Sequence, residues 1–121
     1  MTNGDAITQA KNWIAAWNAH DLDAILLHYS PNVVFEARTV ATRWNKVDGK
    51  FHGIGELRDH FALGLELAPN LHFELEQVFI APSGYSVLYT RGNGNRVIDC
   101  VELDARGRAN RVVAYCSHAQ T

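Results

Sequence analysis

The chain has 121 residues, a formal net charge of −2 at pH 7, and acidic and basic residues mixed along its length. This length predicts one domain over residues 1–121, which can bury about two-thirds of its unfolded surface in a single core. The weak, mixed charge excludes a basic surface for nucleic acid or for an anionic membrane, and we expect neither as a partner. No apolar run reaches the roughly 20 residues that span a bilayer, and the first residues lack a signal-peptide pattern, so we expect a cytoplasmic protein.

The first third of the chain predicts two short helices that meet at an angle, followed by a strand. Apolar residues keep a helical spacing over 7–17 and start a new stripe over 22–29, after a polar break at 18–21. Asp21 can cap the second helix by accepting from its free backbone N–H groups. Pro31 ends that helix just ahead of a β-branched run.

The middle of the chain predicts one more helix and then a change to strands. Residues 39–50 form an irregular polar segment, and 51–53 form a short strand or turn. Helical spacing returns over 56–67. From residue 71 onward apolar and polar residues alternate, but the parity shifts near Gln77, which predicts a β-bulge that bends this strand.

Turn residues divide the rest of the chain into long strands. The turns lie at 83–84, 92–94 and 104–108, and the last two strands cover 96–104 and 110–118. Helices grouped on one side of an antiparallel meander define an α+β fold. A bent sheet that closes over three helices leaves a cone with an open end, which is a common shape for a ligand pocket.

Five segments, in this order along the chain, resemble the NTF2-like superfamily, and within it the SnoaL-like proteins and ketosteroid isomerase: 17–23, 31–35, 53–61, 98–103 and 111–113. The resemblance implies a single cystatin-like, NTF2-like cone in which three N-terminal helices pack on a strongly curved antiparallel sheet. It leaves the reaction open, because this fold hosts isomerases, cyclases, hydrolases, lyases and binding modules without catalysis.

The resemblance also implies a homodimer that forms through the outer face of the sheet. We expect Val78, Ile80 and Cys116 to point outward, which is compatible with such a contact.

The resemblance to ketosteroid isomerase can be tested at three positions. That enzyme uses a carboxylate base and an oxyanion hole made by a tyrosine and a protonated carboxylic acid. The acid falls on Asp99, the tyrosine on Trp13 and the base on Ala37. An indole can donate but not accept, and a methyl group transfers no proton. We therefore predict no steroid isomerisation by that mechanism.

The predicted cavity wall combines ionisable and aromatic side chains. Strand alternation from Asp99 places Val97, Val101 and Leu103 on the same face. The resemblance adds inward positions from the neighbouring strands and from the helices: Val87, Tyr89, Arg91, Tyr115, Ser117, Trp13, Trp17, Tyr29 and His60. It leaves to the outer face Cys100, Glu102, Cys116 and His118.

Three polar residues of this wall carry the predicted chemistry, and each has a second interpretation. Asp99 exchanges protons, or it is a buried carboxylate paired with Arg91 for structure alone. His60 suits proton transfer because an unperturbed imidazole titrates near about pH 6.5, or it is a helix histidine held by a neighbouring group. Arg91, together with Tyr89, holds a developing oxyanion, or it is a solvated charge of the hairpin.

The remaining candidates concern ligand binding. The aromatic residues are core residues unless several line one cavity, where they would form a flat slot for an aromatic ligand. Glu36 points away from the cone in a regular strand, but it is the only carboxylate near Ala37, and a bulge would turn it inward. The substrate-binding candidates are Trp13, Trp17, Tyr29, Glu36, Tyr89, Arg91, Tyr115 and Ser117.

We expect no metal and no cofactor. Glu56 and His60 share a helix face, and His20 lies near Asp21 and Asp23, but neither group has an assured third ligand.

Cys100 and Cys116 lack the CxxC spacing of a thiol redox motif or of a thiolate zinc site. Both are expected to stay reduced. A hairpin of the last two strands would nevertheless bring their sulfurs nearly opposite each other and permit a disulfide under oxidising conditions.

The leading hypothesis is a SnoaL-like small-molecule enzyme that acts on an apolar or aromatic ligand by cofactor-free proton transfer, as an isomerase, cyclase, lyase or dehydratase. Asp99 and His60 would move protons while Arg91 stabilises negative charge. The competing hypothesis is a ligand-binding or dimerisation module without catalysis, which the losses at Ala37 and Trp13 favour.

Overall fold

A computed structural model of the protein describes residues 3–92 and 94–117. Its helices and strands confirm the α+β class, with four helices among the described residues rather than three. In chain order they are α1 (Asn3–Asn18), α2 (Leu22–Leu26), β1 (Tyr29–Glu36), α3 (Arg38–Trp44), β2 (Lys50–His52), α4 (Ile54–Leu67), β3 (Phe73–Ala81), β4 (Gly84–Arg91), β5 (Arg96–Leu103) and β6 (Ala109–Cys116). Asn93 in the predicted turn at 92–94 and His118 in the predicted last strand lie outside the described residues.

The predicted corner between the first two helices is present. The Asp21 side chain accepts from the backbone N–H of Ala24 at 3.1 Å and caps α2, as predicted. The second helix is shorter than predicted, because Tyr29 already belongs to β1. Pro31 therefore lies inside a strand, in the stretch where the pairing of β1 with β6 is irregular. A proline fits there because it has no N–H to give to the ladder.

Helix α3 corrects the prediction of an irregular segment over 39–50. The helix has seven residues and a β-branched, threonine-containing sequence, so its intrinsic helix preference is weak. Its Val40 side chain is fully buried in the core. Tertiary packing of this residue, which local sequence does not reveal, stabilises the helix. Asn45, in the left-handed conformation with φ 54°, ends it.

The six strands form one sheet in the order β2-β1-β6-β5-β4-β3. Strands β3 to β6 form the predicted antiparallel meander, and the sheet is antiparallel except where β1 pairs with β6 in parallel. Strand β3 has the predicted bulge, between Leu75 and Gln77. A bulge bends its strand and increases the local twist, which helps the sheet to curve over the helices.

The pairing register decides which side chains face the helices, because directly opposed residues share a face. Asp99 lies opposite Val87 on β4 and Ala114 on β6. Val97 lies opposite Cys116, so Cys116 is on the inner face and not on the outer one. Strand β6 therefore presents to the inside Val112, Ala114 and Cys116.

The inward orientation predicted for Tyr115 and Ser117 is wrong. Tyr115 is 58% exposed, and Ser117 is exposed just beyond the end of β6. Because side chains alternate along a strand, an error of one residue in the predicted register assigns every side chain to the opposite face. The irregular pairing between Glu102 and Leu103 is the kind of feature that local sequence does not show.

Glu36 keeps the regular alternation of β1, with Phe35 and Ala37 buried on either side of it. No bulge turns it inward.

The two cysteines are free. Cys100 lies opposite Val113, and Cys116 lies opposite Val97. The expectation that the two sulfurs lie nearly opposite each other on one face is therefore wrong, because the residues are out of register and on opposite faces of the sheet.

The outer face of the sheet carries an apolar stripe, but not the predicted one. Val78 and Ile80 pair with Val87 and Tyr85, whose side chains are buried, and they belong to the inner face. The extra residue of the bulge in β3 puts Val78 and Ile80 on the same face as Phe73 and Leu75. The outer apolar stripe consists of Phe79, Leu88, Ile98, Val113 and Tyr115.

None of the helices within residues 3–92 and 94–117 is long and apolar enough to cross a membrane.

Candidate active site

A cavity of about 530 Å³ lies between the concave face of the sheet and helices α1, α3 and α4. This volume is in the range of small-molecule sites. Six of the sequence-predicted residues line it, namely Trp13, Trp17, His60, Tyr89, Arg91 and Asp99. The predicted binding residues that do not line it are Tyr29, Glu36, Tyr115 and Ser117.

Aromatic rings form the apolar part of the cavity wall. The ring centroids of Phe73 and Tyr89 are 4.7 Å apart, and those of Trp17 and Phe61 are 4.9 Å apart. Trp13 contacts Tyr89 edge to face at 5.2 Å. Trp13, Trp17 and Tyr89 are therefore core residues that also line the cavity, and the slot for an aromatic ligand stays a prediction.

The two tryptophans of α1 use their indole N–H groups differently. The Trp13 Nε1 group donates to the Tyr29 hydroxyl at 2.9 Å, so Tyr29 holds Trp13 from behind the cavity wall. The Nε1 group of Trp17 is buried and has no acceptor among the described residues. An unsatisfied buried donor costs about 1–3 kcal/mol, so this indole N–H is a destabilising feature of the wall.

Asp99 is 3% exposed on the cavity wall, and it accepts from the Tyr89 hydroxyl at 3.3 Å. Burial raises the pKa of its carboxyl to about 7, although the charge of Arg91 and the Tyr89 hydrogen bond both lower it. Asp99 forms no ion pair with Arg91 among the described residues. The structural interpretation of Asp99, as one half of an Arg91 ion pair, is therefore not what the geometry presents.

The tyrosines around Asp99 remain protonated near neutral pH. Burial and the nearby Asp99 carboxyl raise the pKa of Tyr85 to about 12. The same two causes, burial first, raise the pKa values of Tyr29 and Tyr89 well above their ordinary value. Their hydroxyl groups are therefore hydrogen-bond donors, and Asp99 is the group in this cluster that titrates near neutrality.

His60 is a neutral imidazole with a defined tautomer. The Trp44 Nε1 group donates to its Nδ1 atom at 2.9 Å. Because an indole N–H can only donate, Nδ1 carries no proton and the ring proton is on Nε2, 3.4 Å from the Thr39 hydroxyl. Burial, followed by the charges of Arg43 and Arg91, lowers the pKa of His60 to about 4.

The expectation of an imidazole that titrates near pH 6.5 is therefore wrong for this site. His60 is 4% exposed, its Nδ1 lone pair is already used, and protonation would place a third positive charge beside Arg43 and Arg91. In this arrangement His60 donates a hydrogen bond through Nε2 at neutral pH and does not accept a proton.

Sequence reasoning missed the contribution of α3, which supplies Thr39 and Arg43 to the cavity wall and Trp44 to His60. Thr39 and Arg43 are four residues apart, a spacing that places two side chains on one face of a helix. The spacing would have identified them had the segment been predicted as helical.

A family model of the SnoaL-like domain matches residues 10–119 of the chain. The protein belongs to the SnoaL-like domain family. The comparison with curated proteins gave no match.

Solved structures with this fold agree with the assignment. A SnoaL-like protein of unknown function from Burkholderia thailandensis superposes with a TM-score of 0.94 at 25% identity, over 97% of this chain and 98% of that one. A protein of unknown function with a cystatin-like fold from Methylobium petroleophilum gives a TM-score of 0.75 at 17% identity, over 100% of this chain and 81% of that one. The epoxide hydrolase/cyclase-like enzyme SalBIII, described in pyran ring formation in polyether salinomycin, gives 0.69 at 16% identity, over 94% and 92%.

Glu56 and His20, the candidate metal ligands named from the sequence, both form other contacts in the structure. The Glu56 carboxylate accepts from the backbone N–H of His52 at 2.8 Å, and the His20 ring contacts the Leu71 carbonyl at 2.9 Å. No three His, Cys, Asp or Glu side chains within the described part of the chain are grouped so as to hold a metal ion.

Proposed function

We propose that this SnoaL-like domain is an enzyme that transfers protons on an apolar or aromatic ligand without a cofactor, in the manner of an isomerase, cyclase, lyase or dehydratase. The observation that carries the proposal is Asp99, a carboxyl buried on the wall of a ligand-sized cavity with its pKa raised to about 7. A general acid or base works best when its pKa is near the working pH.

In the proposed reaction Asp99 removes a proton from a carbon atom next to a ligand carbonyl and returns it to the same or a neighbouring atom. The electron pair of the broken C–H bond moves to the carbonyl oxygen, which becomes an enolate. The Nε2–H of His60 and the Arg91 guanidinium are the donors on the wall that stabilise this oxygen. In this proposal His60 donates a hydrogen bond, whereas the sequence predicted that it would transfer protons.

SalBIII supports the proposed class of reaction because it has a similar fold and is described as an enzyme. Its printed description concerns an epoxide hydrolase/cyclase-like enzyme and ring formation. At 16% identity the likeness shows that this fold can hold such chemistry, and it does not name the ligand of the present protein.

The proposal is tested by hydrogen–deuterium exchange at the carbon between the carbonyl and the ring of 2-tetralone, a two-ring ketone, followed by NMR in D₂O. We expect the protein to accelerate the exchange, and the rate to rise with pH and level off above about pH 7, because Asp99 must be ionised to accept a proton. Asp99→Asn should lower the rate by about 100-fold or more. Asp59→Asn, at an exposed position of α4, is the control and should not change the rate.

A ligand-binding module without catalysis is the second candidate. It is favoured by Ala37, which lines the cavity where the related isomerase has its base, and by the engaged Nδ1 atom of His60. The same experiment distinguishes the two candidates. A ketone that binds, as seen by chemical-shift changes, but exchanges no faster than in buffer would support the binding module and reject the enzyme.

We also propose that the domain forms a homodimer through the outer apolar stripe. Within the stripe, Tyr115 is 58% exposed, Phe79 is 48% exposed and Ile98 is 36% exposed. Exposed apolar side chains on adjacent strands are typical of a surface that a partner covers. A two-fold contact of this kind would leave the cavity, on the opposite face of the sheet, open to ligand.

A further inference from the structure

Two arginines from different elements lie on the wall of the cavity. Arg43 comes from α3 and Arg91 from the end of β4. The Nη1 atom of Arg43 is 3.6 Å from the position that a Cβ atom on Gly64 would occupy, so this guanidinium lies against α4 where the helix has no side chain. Arg43 is partly exposed whereas Asp99 is buried, which places Arg43 toward the solvent side of the cavity.

No carboxylate forms an ion pair with either of these arginines among the described residues. The ion pairs there use other arginines, Arg58, Arg96 and Arg111. The carboxyl on the cavity wall is Asp99, and at a pKa of about 7 it is mostly uncharged below neutral pH. The cavity therefore carries an excess of positive charge.

The electrostatic effects inside the cavity agree with this excess. The charge of Arg91 adds to burial in lowering the pKa of Arg43. Both arginines also lower the pKa of His60. Two like charges held near each other in a partly desolvated site raise the free energy of the empty protein, and an anion between them would offset that cost.

We propose that the ligand of this cavity carries an anionic group before any reaction occurs, and that it is a cyclic, apolar carboxylate. Its carboxylate lies between the Arg43 and Arg91 guanidinium groups, and its rings lie against the aromatic wall. A guanidinium matches a carboxylate with two parallel N–H donors, which a neutral ligand cannot use equally well. This inference names the substrate class and rests on the proposed function for the location of the site. Arg91 then binds the carboxylate, and the Nε2–H of His60 is the donor left for the enolate oxygen.

The test compares 2-naphthoate with its neutral analogue 2-naphthamide, titrated into the full chain at pH 6 and followed by calorimetry. At this pH an ordinary carboxylic acid is ionised. We expect 2-naphthoate to bind about tenfold more tightly or better, since a guanidinium forms stronger hydrogen bonds with a charged carboxylate than with a neutral amide. Arg43→Gln and Arg91→Gln should each lose most of this preference, because each weakens binding of 2-naphthoate more than binding of 2-naphthamide. Arg91→Lys keeps the charge without the fork and should be intermediate.

Arg58→Gln is the matched control, because Arg58 is an exposed arginine that pairs with Asp23 and does not line the cavity. It should keep the full preference for 2-naphthoate. Circular dichroism and the thermal midpoint confirm that each variant is folded. Equal affinity of the wild-type protein for the two probes, failure to bind 2-naphthoate at millimolar concentration, or an unchanged preference in both arginine-to-glutamine variants would overturn the proposal. The binding test does not depend on catalysis. If the protein prefers the carboxylate but does not accelerate proton exchange, this inference is supported and the proposed catalysis is rejected.

Discussion

At the scale of single residues, the cavity holds two groups whose pKa values move in opposite directions. Burial favours the uncharged form of each group, which is the acid for Asp99 and the free base for His60. The pKa of Asp99 rises to about 7 and that of His60 falls to about 4. At neutral pH the site therefore contains a carboxyl that is about half ionised beside an imidazole without charge.

These pKa values predict how stability depends on pH. The Asp99 carboxyl has a higher pKa in the folded protein than in the unfolded chain, so its stabilising effect is full below about pH 3.8 and is lost as the pH rises to about 7. His60 acts oppositely, and its effect is full above about pH 6.5 and is lost as the pH falls to about 4. In the wild-type protein the two effects largely cancel between these values.

Asp99→Asn removes one of the two effects and leaves the hydrogen-bond acceptor for Tyr89 in place. Relative to the wild-type protein, the free energy of unfolding of the variant should increase by about 1.4 kcal/mol per pH unit between about pH 4 and 7, and stay level above. Urea denaturation at a series of pH values measures this difference. Asp59→Asn, which neutralises no buried carboxyl, is the control and should follow the wild-type profile. Parallel curves for Asp99→Asn and the wild-type protein would mean that folding does not raise the pKa of Asp99.

At the scale of elements, the short helix α3 contributes several side chains to the site. Its seven residues supply Thr39 and Arg43 to the cavity wall, and its last residue, Trp44, sets the tautomer of His60 on α4. The contact between these two helices therefore fixes which ring atom of His60 can donate to a ligand.

Trp44→Phe tests this contact between helices. Loss of the indole N–H leaves the Nδ1 atom of His60 buried without a donor, which should destabilise the protein by about 1–3 kcal/mol. It also frees the lone pair that accepts a proton, so the pKa of His60 should rise from about 4. NMR titration of the His60 ring protons and urea denaturation measure the two effects. Thr39→Val, which removes only the longer contact of 3.4 Å, is the control and should shift the pKa less. An unchanged pKa in Trp44→Phe would show that burial alone keeps His60 neutral.

At the scale of the whole molecule, the two faces of the sheet differ in what they present. Its concave face, with the helices, encloses the cavity, and its outer face presents the apolar stripe. We expect sedimentation equilibrium at micromolar concentration to show a dimer. Tyr115→Lys should shift the protein to monomer, because a charge would be buried in the contact. Ala62→Lys, at an exposed position on α4, is the control and should remain dimeric. A wild-type protein that sediments only as monomer would contradict the dimer.

The sequence by itself determined the class of fold, the order of most elements and much of the site. The Asp21 cap and the bulge near Gln77 follow from signals within a few residues of each position, and the inward position of Asp99 follows from the resemblance to ketosteroid isomerase. Such signals are readable because capping, strand alternation and turn formation depend on neighbours in the chain.

Only the tertiary structure decided the features that depend on distant neighbours. Helix α3 forms because Val40 packs in the core, and β6 takes its face from its register with β5, which puts Ala114 rather than Tyr115 opposite Asp99. The pKa values of Asp99 and His60 likewise depend on burial and on arginines from other elements. Packing, register and desolvation are set by residues far apart in sequence. The local pattern therefore predicted candidate groups, and the fold determined which of them face the cavity and in what charge state.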